Sequence, residues 1–112
     1  MLFKKISLLA LTAALLTGCG ASNQNSLTGN PEAPKPVFVF KIDDTVQAHP
    51  QIGINQADVV YIEQVEGGLT RLAAIFSSEI PPEIGPIRSA RISDIDLLAQ
   101  YGKVAFLYSG AQ

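Results

Sequence analysis

The chain has 112 residues, ten acidic and eight basic side chains, and a formal charge of −2. That balance gives no general attraction to nucleic acid or to anionic lipid headgroups, so anion binding requires a local cluster of cations. A single cysteine excludes an internal disulfide and any multi-cysteine metal site.

Residues 1–18 read as a secretory leader. Lys4 and Lys5 give a positive start, and Ile6 to Leu16 form a mostly apolar run of eleven residues without charge. Such a run is too short to cross about 30 Å of hydrocarbon, which takes roughly twenty residues. It ends in "LTGC", Leu16 to Cys19, which resembles the lipobox of bacterial lipoproteins. That resemblance implies diacylglyceryl transfer to the Cys19 thiol and cleavage before it. Two or three acyl chains would anchor the protein stably on the extracytoplasmic face of the cell membrane. The plainer alternative is an ordinary secretory peptide with an incidental cysteine. Loss of Lys4 and Lys5 leaves six basic against ten acidic residues in a mature chain of 94, a charge of −4. That length allows one small domain with a modest core.

Residues 19–36 are rich in Asn, Ser, Gly and Pro and read as a flexible tether. Order is expected from Val37, where "VFVFKI" has the continuous apolar, β-branched and aromatic character of a buried strand. It ends at Asp43-Asp44. Thr45 to Gln56 reads as a loop. Asp58–Glu66 and Leu69–Ser77 read as a hairpin about a two-residue Gly67-Gly68 turn. That register sets Glu66 opposite Leu69 and Gln64 opposite Arg71, with Glu66 and Arg71 as diagonal neighbours on one face. A proline-rich crossing, "EIPPEIGP", leads to a helix carrying an apolar stripe of Ile92, Ile95, Leu98 and Ala99. Ser89 or Ser93 is its candidate N-cap, with Asp96 completing a capping box in the second case, and Gly102 its C-terminal stop. Lys103 to Ser109 returns as a strand.

The order β–ββ–α–β predicts an α/β or α+β layer: a small mixed sheet with a hairpin and one covering helix. A buried strand rarely closes a domain without a following element. The last one breaks off at "SGAQ", so 37–112 reads as an incomplete domain, the front part of a longer protein.

Four places carry candidate chemistry. In "GPIRSAR", Arg88 and Arg91 flank Ser89-Ala90 just before the helix, where the helix dipole disfavours cations. Their guanidinium groups and the free helix amides would converge on one anion. Alternatively the arginines pair with Asp94, Asp96 or Glu83 and simply hold the loop. Asp43-Asp44 stands at a strand end, where two carboxylates would bind a hard cation or one would act as a base. The competing role is a solvated turn, and the pair lacks calcium-loop spacing. Glu63 and Glu66 have opposite parity on a regular strand, so they do not form the facing carboxylates of a glycosidase. Glu66 with Arg71 is more simply an ion pair. His49, before a proline in a loop, has no nucleophile motif near it.

"KIDD" (Lys41–Asp44), "QADVVY" (Gln56–Tyr61), "VEGGLTR" (Val65–Arg71) and "GPIRSAR" (Gly85–Arg91) together resemble the YerB-like bacterial lipoproteins, the domain of unknown function 3048. The resemblance runs from about Val37 to Gln112. It implies a lipoprotein, a longer chain with a second, β-rich part, and a polar site without an established reaction. Asp44 stands where that family often carries asparagine. The expected function is binding of an anionic or polar envelope ligand, by an Arg88–Ser89–Arg91 clamp with Arg71 and Glu66 in support and Asp43 as a polar contact. The alternatives are a hydrolase of envelope glycan or peptide with Asp43 or Glu66 as acid-base group, and a structural partner of another envelope protein that docks on the hairpin edge. The expected partners are the membrane through Cys19 and a cell-wall polymer or an envelope protein, with no nucleic acid, cofactor or metal.

Overall fold

A computed structural model describes residues 23–112. The leader and Cys19, with their expected cleavage and lipidation, lie outside the described residues. The ordered elements are β1 (Val37–Asp43), β2 (Val59–Gln64), β3 (Thr70–Phe76), α1 (Ser93–Ala99) and β4 (Val104–Leu107). The strands form one mixed sheet in the order β2-β3-β1-β4. The β1–β3 and β2–β3 pairs are antiparallel, and β1–β4 is parallel. This is the expected small α+β layer.

Position in the sheet explains the strand sequences. β1 and β3 are central and buried on both faces, so they read as continuous apolar runs. β2 and β4 lie at the edges, and their exposure alternates residue by residue. One face packs Ile42, Leu72, Ala74 and Phe76 under the loops that carry Ile54, Ala57 and Ile84. Phe40 and Phe76 meet edge to face with centroids 5.4 Å apart. Burying a side chain such as Phe76 stabilises the fold by roughly 1.5–3 kcal/mol. The other face packs Val39, Ala73 and Ile75 beneath α1, through Leu97, Leu98 and Tyr101. The Tyr61 and Tyr101 hydroxyls lie 2.5 Å apart and tie the helix end to β2.

Three expectations are corrected. The hairpin register is shifted by one residue. Glu63 faces Arg71, Gln64 faces Thr70, and the Val65 N–H donates to the Leu69 carbonyl at 2.9 Å. The turn is the three-residue Glu66–Gly68, with Gly67 and Gly68 at φ 74° and 72°. Because side chains alternate along a strand, this slip turns β2 over relative to β3. Glu63 and Tyr61, rather than Ile62 and Val60, therefore share a face with Arg71 and Ala73.

The helix is rotated from the expected stripe. Ile92 and Ile95 are 76% and 65% exposed. The inward row is Asp94, Leu97, Leu98 and Tyr101, a helical i, i+3, i+4, i+7 spacing that starts with an acid. Ser93 is the first helical residue rather than the cap, and its hydroxyl donates to Glu63 Oε1 (3.1 Å). The Asp94 carboxylate instead accepts the Arg91 N–H at 2.7 Å. Gly102 does stand just past the helix in the left-handed region, φ 68°.

Finally, within the segment expected as a tether, whose residues 19–22 lie outside the described residues, Asn25 is fastened to the domain. This buried side chain donates to Glu32 Oε1 (3.0 Å) and Ser77 Oγ (3.4 Å) and accepts the Leu27 N–H (2.9 Å).

Candidate functional site at the charged end of the sheet

Antiparallel pairing brings the end of β1, the end of β2 and the start of β3 together. In register, Arg71 lies between Asp43 on β1 and Glu63 on β2. The parallel β4 ends on the same side. "GPIRSAR" then extends this end of the sheet. The Asp43 N–H donates to the Pro86 carbonyl (2.9 Å), and the Arg88 N–H to the Lys41 carbonyl (2.8 Å). On its other edge the segment takes up "YSGAQ": Ser109 N–H donates to the Arg88 carbonyl (3.0 Å), and Ala90 N–H to the Gly110 carbonyl (2.9 Å). Gly110 has φ 81°, a conformation that favours glycine, and a Cβ there would press on the Ser89 hydroxyl at 3.3 Å. "KIDD", "VEGGLTR", "GPIRSAR" and "YSGAQ" thus converge, whereas "QADVVY" begins at the opposite end.

Arg88 is therefore set by the bridged backbone between Ile87 and Ala90, whereas Arg91 leads into the first turn of the helix, where its carbonyl accepts the Asp94 N–H at 3.0 Å. Arg88 Nε donates to Asp43 Oδ2 (2.8 Å). Burial pushes the Asp43 carboxyl up, but bonds from Thr45 and Arg88 outweigh it and hold the group below its ordinary value. Arg91 forms a two-pronged pair with Glu66, Nε to Oε2 (3.1 Å) and Nη2 to Oε1. The Arg91 bond is the main cause that lowers the Glu66 carboxyl to about 2. Glu66 takes Arg91 rather than the expected Arg71 as its ion-pair partner, and Arg71 turns to the "GPIRSAR" backbone. Arg71 Nη1 donates to the Ser89 carbonyl at 3.0 Å. Arg91 Nη1 reaches the same oxygen at 3.5 Å and the Ala90 carbonyl at 2.9 Å. The two guanidinium groups thus converge on one carbonyl.

Neither arginine joins the helix amides in a shared anion site. The helix begins two residues later, and the Asp94 carboxylate lies between. Asp94, Asp96 and Glu83 are not the arginines' side-chain partners either. Asp43 and Glu66, much farther along the chain, fill that role.

Below them lies a charged cluster that sequence reasoning missed. Lys41 is fully buried in β1, and its Nζ pairs with Glu63 Oε2 and, at 2.7 Å, with Asp94 Oδ1. A buried ammonium needs such partners, because isolated charge is not tolerated in an apolar interior. The signal was a lysine inside "VFVFKI", a charge in an otherwise buried strand. Asp43 and Asp44, adjacent in sequence, diverge. Asp44 accepts from Thr70 Oγ1 (2.5 Å) and Gln51 Nε2 (3.1 Å) and lies 3.0 Å from His49 Nε2. His49 is thus joined to the cluster's rim. Among the described residues, no three His, Cys, Asp or Glu side chains are grouped to hold a metal ion. Beside Arg91 and Asp94 opens a groove of about 390 Å³, lined by Ile95, Leu98, Phe106 and Tyr108.

The chain is similar to known proteins over most of its length. Residues 12–112 match the family described as "Protein of unknown function (DUF3048) N-terminal domain". Over 57 residues, 51% of this chain, it is 44% identical to a Bacillus subtilis (strain 168) protein named "Putative lipoprotein YerB". That stretch is 17% of the relative's length. The crystal structure of YerB from Bacillus subtilis superposes with a TM-score of 0.73 at 30% identity, over 80% of this chain and 32% of that one. The chain therefore spans about a third or less of the relatives it matches. With a family match that takes in the whole sheet, the helix and every motif of the charged end, the chain belongs to the DUF3048 family, in its N-terminal domain.

Proposed function

We propose that this is the N-terminal part of a lipoprotein anchored through Cys19 on the extracytoplasmic face of the cell membrane, whose charged sheet end binds an anionic or polar envelope ligand. The anchor is supported by the "LTGC" signal and by the relative's name. The binding reading is carried by one observation: Arg71 and Arg91 converge on the Ser89 carbonyl while Arg71 forms no ion pair among the described residues. Its remaining guanidinium donors are the unused capacity of the site. Arg88, half exposed, adds a third cation at the rim.

Asp43 and Glu66 are both held ionised, a state that accepts a proton but does not donate one at neutral pH. This fits the hydrolase alternative less well. The docking alternative has one observation in its favour: β2 is an edge strand with Ile62 exposed.

The test incubates the full chain, in detergent micelles, with purified cell-wall sacculi and reads bound protein and released fragments by mass spectrometry. Retention without fragments, lost in Arg71→Gln and weakened in Arg88→Ala, is the expected result. Released fragments would make the protein a hydrolase. Neither retention nor fragments would leave docking to a protein partner.

A further inference from the structure

We infer that the Arg71–Arg91 pair is a receptor for a ligand carboxylate, and that Glu66 occupies it here as an internal substitute that the ligand displaces. The inference rests on the binding reading above and names its ligand class and its control.

The geometry at Arg91 is specific. Nε and Nη2 address the two oxygens of one carboxylate side by side, the planar two-pronged arrangement that guanidinium offers a carboxyl group. Arg91 is deeply placed, with a side chain 11% exposed, whereas Glu66 is 62% exposed. The cation is largely enclosed by the domain, and the anion sits on an exposed turn.

Glu66 is also the movable partner. It opens the Glu66–Gly68 turn, both of whose glycines sit in the left-handed region, and no atom lies within 4 Å of where their Cβ atoms would be. The turn packs against nothing at those positions. The hairpin is closed behind it by the Val65–Leu69 bond, so Glu66 can swing out without loss of a ladder bond.

Arg71 supplies the driving force for exchange. It stands next to the pair and contributes to keeping Glu66 ionised, yet among the described residues its side chain donates only to the Ser89 carbonyl. A ligand carboxylate seated between the two guanidinium groups gains Arg71 as well as Arg91, and a second carboxyl on the same ligand would engage both. The groove beside Arg91 gives the rest of such a molecule a place to lie.

Succinate is the probe, with succinamide and inorganic phosphate as controls, titrated into the full chain in detergent micelles and followed by ligand-observed NMR. Glu66→Gln keeps the turn but removes the competing charge, and is expected to bind succinate about three- to tenfold more tightly than the parent chain. Arg71→Gln is expected to abolish that gain, and succinamide to show no binding. Equal succinate affinity in the parent and Glu66→Gln, with loss in Arg71→Gln, would overturn the displaced-carboxylate idea and leave the arginine site standing. Equal tightening for phosphate would overturn the carboxylate class. No anion binding by the parent or by Glu66→Gln would overturn both this inference and the arginine site.

Discussion

The two ends of the sheet satisfy their polar groups in different ways. At the end where β2 starts and β3 finishes, the Asp58 carboxylate accepts the Ser77 N–H (2.5 Å), the Ser78 N–H (2.9 Å) and the Ser78 hydroxyl. Asn25 closes the same corner onto Ser77. The donors to Asp58 are neutral backbone and hydroxyl groups, as in a cap, and the one cation at this corner, Lys35, is paired with Glu32 (2.8 Å) and donates to the Ser78 carbonyl (3.3 Å). At the other end the partners are arginine, lysine and carboxylate from six separate segments, and among the described residues at least one guanidinium keeps unused donors. A polar corner that only fastens the chain closes on itself. One that leaves a cation without a counter-ion has room for something else. The contrast is broken most severely at the buried lysine.

Lys41→Met is expected to lower stability by about 3–5 kcal/mol, because Glu63 and Asp94 would be left as paired acids without their cation. Urea denaturation measures it. Adding Glu63→Leu and Asp94→Asn should restore most of the loss: the asparagine keeps a side-chain oxygen for the Arg91 N–H, and no buried charge remains. A loss under about 1 kcal/mol in the single variant would mean that the triad is solvated and the charged end is not anchored from below.

Asp58→Ala tests the opposite corner. It strips acceptors from two backbone N–H groups, one on the buried Ser77, and should cost about 1–3 kcal/mol. Retention on sacculi, measured at a temperature where the variant is folded, should be unchanged. Loss of retention in the folded variant would dissolve the distinction between the two ends.

Some of this was legible beforehand and some was not, for identifiable reasons. β1 and β3 declare themselves, because central strands must be apolar on both faces. The arginine positions are plain in "GPIRSAR", and their gathering with Arg71, Asp43 and Glu66 follows from the motifs lying at strand ends. The hairpin register was not legible: Gly67-Gly68 fits a two-residue turn as readily as a three-residue one that includes Glu66. That single residue decides whether Glu63 or Gln64 faces Arg71. The helix face was hidden for a related reason. Periodicity predicts an apolar stripe through Ile92 and Ile95, but Asp94 pairs with Lys41 inside, and the isoleucines face out. Burial of one charge redirected the packing of its neighbours, and pairing between distant segments cannot be read from periodicity alone.

The smallest expected effect is also the sharpest probe of Glu66. Its folded carboxyl lies at about 2 against an ordinary 4.5. A carboxyl lowered by folding contributes stability that is present above its unfolded value and is lost as pH falls through the folded one. The Glu66–Arg91 contribution is therefore complete above about pH 4.5 and gone below about pH 2. Because the carboxylate faces solvent, the loss should be slight and should shrink as salt screens the pair. Glu66→Gln should flatten this part of the acid limb in thermal melts taken at low ionic strength between those pH values. Asp58, whose carboxyl burial pushes up but bonds from Ser78 and Ser77 and the charge of Lys35 bring below its ordinary value, should keep its own acid sensitivity in that variant. An acid limb in Glu66→Gln identical to the parent's would mean that Glu66 spends little time on Arg91 in solution. The arginine would then be open to ligand without displacement, and the two ends would differ even more than their static contacts indicate.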